Sequence, residues 1–103
     1  MIEKYIQDNK AAILYSPGFG AGWSTWDKEE ISYDKRIVEK FLAGADEKEM
    51  KSFLNEIGYK DVYMGGYKQL KIKWLPVGTK YIIYEYDGNE SIQTIESLPW
   101  IEV

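Results

Sequence analysis

Hydrophobic and polar positions along this chain repeat with two different periods, and the change from one to the other falls at Gly58. Lys10–Tyr15 (KAAILY) is a short apolar run that predicts a first strand, and it stops at Ser16-Pro17-Gly18 because proline lacks a ladder donor and restricts the residue before it. From Asp34 onward Ile37, Val38, Phe41 and Leu42 form one apolar stripe at helical spacing. Lys35, Arg36, Glu39 and Lys40 lie opposite that stripe, and Gly44 is placed to end the helix. Asp46 followed by Glu49 is a capping box, and Met50, Phe53, Leu54 and Ile57 carry the helical period to Gly58. Two antiparallel helices joined by a tight Gly-Ala link are expected.

Beyond Gly58 the period becomes two. Asp61–Met64 predicts a short strand broken by Gly65-Gly66, and Leu70, Ile72 and Trp74 alternate with Lys71 and Lys73 as a strand with one wet face. Pro76–Thr79 reads as a turn. Lys80–Tyr86 then runs into Asp87-Gly88-Asn89, a strong hairpin signal, so Ser91–Ile95 returns alongside and Leu98–Val103 adds an edge strand. The expectation is an α+β fold in one domain spanning 1–103. It has a mostly antiparallel sheet of about four to five strands with the two-helix hairpin packed on one face.

Composition narrows the chemistry. No run approaches the roughly 18 apolar residues of a membrane span, and the charged N-terminus MIEKYIQDNK lacks a secretory apolar core, so no membrane partner and a cytoplasmic location are expected. The absence of cysteine suits a reducing compartment and removes thiolate chemistry. The absence of histidine removes the commonest general base and metal ligand, leaving carboxylate, lysine or tyrosine chemistry and an oxygen-ligated Mg²⁺ site. Against 17 acidic residues stand 13 basic ones, of which only Arg36 is an arginine; the net charge of -4 disfavours duplex nucleic acid. Aromatics make up 16% of the chain, more than so small a core can bury, which places several at a pocket or interface.

The candidate site is the stretch from Gly18 to Asp27. Gly18, Gly20 and Gly22 permit close backbone approach, so the N–H groups of Gly20, Ala21 and Gly22 can converge on an anion. The GxGxG spacing matches neither the dinucleotide GxGxxG pattern nor a P-loop, and a wide structural turn with a tryptophan beneath it explains the same glycines. Ser24 and Thr25 add hydroxyls, and Trp23 and Trp26 add planar faces that suit a base. Tyr63-Met64-Gly65-Gly66-Tyr67 reads as a bulge, or as a second wall that brings Tyr63 or Tyr67 to the loop. Lys71, Lys73 and Lys80 make either a phosphate-drawing patch or the wet face of a sheet. Glu85, Asp87, Glu90 and Glu96 fit turn geometry better than catalysis.

The runs GFGAGWSTWD, IGYKDVYMGG, LKIKWLPVGTKY and IIYEYDGNESI resemble a family of small proteins of tailed phages and prophages. The resemblance spans Ala12 to Ile95, with GAGWSTW at Gly20–Trp26 and EYDGNESI at Glu85–Ile92 as its most distinctive motifs. It implies a setting in which small accessory proteins counter host immunity, and it implies no catalytic residues.

The leading expectation is a non-enzymatic protein, needing no cofactor, that captures a small nucleotide-derived ligand. Gly18, Gly20, Ala21, Gly22, Trp23, Ser24, Thr25 and Trp26 would form its main wall, with Tyr67, Lys71 and Lys73 contributing. The alternative is an inhibitor that binds a host defence protein through its aromatic and acidic surface. A Mg²⁺-dependent hydrolase using Asp27 or Asp87 stands third. A homodimer fits the surplus of aromatics and an exposed C-terminal edge.

Overall fold

The computed structural model describes residues 2–18 and 22–94. Five strands and two α-helices follow in the order β1 (Ile6–Gln7), β2 (Lys10–Tyr15), α1 (Lys35–Leu42), α2 (Glu47–Glu56), β3 (Lys71–Pro76), β4 (Tyr81–Tyr86) and β5 (Asn89–Thr94). Every pairing is antiparallel, as expected, but the strands form two sheets rather than one: β1-β2-β3 and the hairpin β4-β5.

The reason lies in β2, whose residues Ala11 to Leu14 are all buried. A strand covered on both faces needs a layer above and a layer below. On one face Ala12 and Leu14 join Ile37 and Val38 of α1 and Met50 and Leu54 of α2. On the other, Ile13 and Leu75 meet Ile92, with Tyr81 and Ile83 packed around them. The second hairpin therefore covers the first sheet face-on instead of extending its edge.

Local chemistry sets the element ends. Asp34 caps α1, its side chain accepting from the Arg36 N–H, and the Asp46/Glu49 capping box opens α2. The β4-β5 turn holds Asp87 and Gly88 at φ 52° and 85°, and the β1-β2 turn holds Asp8 and Asn9 at 51° and 63°. Both are the left-handed pairs that two-residue hairpins require.

Residues 61–64 do not form the expected strand. Asp61 turns the chain at φ 58°, and the Tyr63 N–H is spent on the Asp27 carboxylate at 3.2 Å rather than on a ladder. The expected edge strand Leu98–Val103 and residue Ile95 lie outside the described residues. Among those described, no helix is long and apolar enough to cross a membrane.

Candidate functional site

The site is built around a carboxylate. Glu90, the second residue of β5, is fully buried, and its side chain points into the loop that follows β2. Its Oε1 accepts from the Ser16 N–H at 2.8 Å. Its Oε2 accepts from the Trp23 N–H at 2.8 Å, the Thr25 N–H at 3.0 Å and the Thr25 hydroxyl at 2.6 Å. The Glu90 N–H donates back to the Ser16 carbonyl at 2.7 Å. Donors from Ser16, Trp23 and Thr25, on either side of the glycine loop, thus converge on a carboxylate of the chain itself.

Trp23 lies beneath this arrangement, fully buried, its indole N–H donating to the Ile31 carbonyl at 3.0 Å. Its ring presents no face to a ligand. Tyr67 is core as well: it packs on Trp23 and Phe41, and its hydroxyl donates to the Ala45 carbonyl. Both residues were expected at the site as ligand contacts; the structure uses them to hold the loop's underside. Gly20 and Ala21 lie outside the described residues.

Gly18 and Gly22 have no left-handed backbone requirement. What they supply is room: a Cβ on Gly18 would fall 1.5 Å from the Gln69 side chain, and one on Gly22 would fall 2.6 Å from the Trp26 ring. Trp26 is 42% exposed and rests against Tyr63, also 42% exposed, with ring centroids 5.1 Å apart. Tyr63 in turn lies over Gly65, where a Cβ would come within 2.3 Å of its hydroxyl. The second glycine cluster therefore does reach the first loop, through Tyr63 on its outer side and Tyr67 beneath.

Ser24 and Thr25 begin a short 3-10 turn, Ser24–Trp26, that forms one wall of a cleft of about 220 Å³. Glu29 continues that wall, and Tyr81, Ile82 and Ile83 of β4 form the other. Burial, aided by Glu29, pushes the Tyr81 hydroxyl above its ordinary pKa, so it remains a donor through the neutral range. Lys71 and Lys73 are exposed on β3, opposite Tyr15 and Ile13, and do not line this cleft. Burial also raises the Asp27 carboxyl, with the Tyr63 N–H pulling in the opposite direction.

Sequence reasoning passed over Glu90 as a turn residue. A signal was present: alternation in β5 sends positions 90 and 92 to the same face, so a glutamate stands where Ile92 predicts an apolar neighbour. Among the described residues no group of three His, Cys, Asp or Glu is placed to hold a metal ion. Comparison with protein-family models, curated proteins and solved structures finds no match.

Proposed function

We propose that this protein is a non-enzymatic binding protein, of the phage accessory kind its sequence resembles, that captures a small nucleotide-derived ligand. The observation that carries the reading is the fully buried Glu90, whose carboxylate fixes the backbone on either side of the glycine loop next to the Ser24/Thr25 cleft. Burying a carboxylate is costly and contributes little net stability, but it fixes one conformation. A wall held rigid before binding loses less entropy when it binds.

The cleft's size and charge refine the ligand. At about 220 Å³ it is smaller than the roughly 300–1,000 Å³ of sites for drug-sized molecules. Two hydroxyls, Tyr81 and Ile83 suit a ribose and a base, whereas Glu29, with no lysine among the residues that line the cleft, repels phosphate. The nucleoside portion is thus the part assigned to the cleft, with any phosphates directed outward.

The test is native mass spectrometry and thermal shift against cyclic dinucleotides, cyclic trinucleotides, ADP-ribose derivatives and nucleosides. A ligand at a hundredfold excess over Kd adds about 2.7 kcal/mol of stability. Recovery of the ligand intact after heating supports capture; no shift with any of them ends this reading.

A second reading has its own observation. Ile82, Tyr84 and Tyr86 stand on the outer face of β4 at 58%, 50% and 67% exposure, across from Gln93, Ser91 and Asn89. Aligned exposed aromatics of this kind anchor protein partners, here a host defence protein. Stoichiometric co-purification of a host protein, abolished by Tyr84→Ser with Tyr86→Ser, would favour it over ligand capture.

A further inference from the structure

The walls of the cleft belong to different parts of the fold. Ser24, Thr25 and Glu29 follow the glycine loop, while Tyr81, Ile82 and Ile83 belong to the β4-β5 hairpin, which is a sheet of its own. Glu90 spans the two. It is carried by the hairpin, yet three of its four donors among the described residues, the Trp23 N–H and the Thr25 N–H and hydroxyl, lie on the loop wall. Glu90 is paired directly with Glu85, whose carboxylate instead accepts from the Gly88 N–H at 2.7 Å within the turn. Two carboxylates opposed across a hairpin repel one another, and here they are held by separate sets of donors.

We propose that the Ser16, Trp23 and Thr25 donors form a carboxylate receptor, that Glu90 is its tethered occupant, and that this latch makes Glu90 the positioning residue that sets the width of the cleft. The consequence for ligand capture rests on the function proposed above, whereas the latch is testable without any ligand. Truncation to alanine removes Cγ and the carboxylate, which together have the size of an acetate ion. The receptor then stands empty, and acetate fits it. Because tethering supplies an effective concentration on the order of millimolar or above, free acetate is needed at roughly tens to hundreds of millimolar.

The experiment uses the full chain with Glu90→Ala and Glu90→Gln, and reads amide hydrogen exchange at Ser16, Trp23 and Thr25 by NMR. In Glu90→Ala these three amides exchange at least about tenfold faster while those of α1 and α2 keep their protection. Sodium acetate restores protection in a saturable manner, and sodium chloride at equal ionic strength does not. Unchanged exchange in folded Glu90→Ala, or rescue by chloride as complete as by acetate, overturns the receptor. Where the alanine variant does not fold, Glu90→Gln decides. Its amide keeps one oxygen to accept but turns an NH2 toward at least one N–H donor, so exchange at Ser16, Trp23 or Thr25 rises without acetate rescue, and wild-type exchange at all three overturns the proposal. For a ligand found by the screen, Glu90→Ala lowers affinity at least about tenfold and acetate recovers it. Undiminished affinity in Glu90→Ala with a loosened loop overturns the positioning role and leaves the capture reading standing. A wild-type protein that binds no ligand ends that reading while the exchange data still judge the latch.

Discussion

Trp26 and Tyr63 lean on each other at 5.1 Å and 49°, and each ring lies against a glycine, Gly22 under the first and Gly65 under the second. The contact joins two segments that have no strand pairing between them, with the Asp27 carboxylate and the Tyr63 N–H as its polar counterpart. A methyl group at either glycine would overlap the ring it supports. Gly22→Ala and Gly65→Ala are therefore expected to displace one ring from the other and to cost about 1–3 kcal/mol where the ring cannot swing free. Near-UV circular dichroism checks this; an unchanged aromatic spectrum in both variants would refute the seating.

Gly18 and Gly44 predict opposite outcomes for the same substitution. At Gly18 a Cβ would overlap Gln69, but the atoms struck are the far end of an exposed, flexible side chain. At Gly44 the space is open, yet φ is 86°. Gly18→Ala is expected to change stability by no more than about 0.5 kcal/mol and Gly44→Ala to cost about 1–2 kcal/mol through backbone strain. Urea denaturation of the pair decides whether space or torsion governs.

The two tryptophans of the loop separate core from surface. Trp23→Ala removes a fully buried ring and the donor to the Ile31 carbonyl, and is expected to cost about 3–5 kcal/mol. Trp26→Phe alters a half-exposed ring with a glycine beneath it and should stay within about 0.5 kcal/mol. Equal losses in denaturant midpoint would mean that Trp26 is as structural as Trp23.

What the sequence made legible was what near neighbours decide. The strand Lys10–Tyr15, the capping box at Asp46 and Glu49, and the Asp87-Gly88 turn each depend on residues within a few positions, and each stands where the pattern placed it. β1 escaped notice because two residues carry no periodicity, although Asp8-Asn9 beside it is a turn dipeptide of the same kind. The supposed strand at 61–64 failed because a side chain 36 residues away took its donor. Glu90 is the extreme case, since its partners lie 65 to 74 residues off. The anion cradle was expected from the N–H groups of Gly20, Ala21 and Gly22, whereas the described donors on Glu90 come from Ser16, Trp23 and Thr25. That the anion is internal depends on how two separate sheets stack, and no local spacing encodes that.

Asp34 gives the fold a predictable acid limb and Tyr59 an alkaline one. Burial alone would raise the Asp34 carboxyl, but the Arg36 guanidinium, the Arg36 N–H and the Tyr59 hydroxyl outweigh it and hold it below its ordinary 3.8. Its contribution is therefore complete above about pH 4 and is lost as pH falls through the lower folded value. Tyr59 is shifted the other way. Burial, together with the hydrogen bond to Asp34, pushes it up from 10.0 to about 12, so its contribution is complete below pH 10 and is lost as pH rises toward 12. Asp34→Asn should flatten the acid limb of a stability-against-pH curve, and Tyr59→Phe should flatten the alkaline limb while leaving the acid limb largely in place. Because both residues share one hydrogen bond at 3.0 Å, the double variant should lose less than the sum of the two single losses. Urea denaturation across pH 2 to 12 provides the check: additive losses, or an acid limb unchanged in Asp34→Asn, would show that the cluster does not govern the pH response.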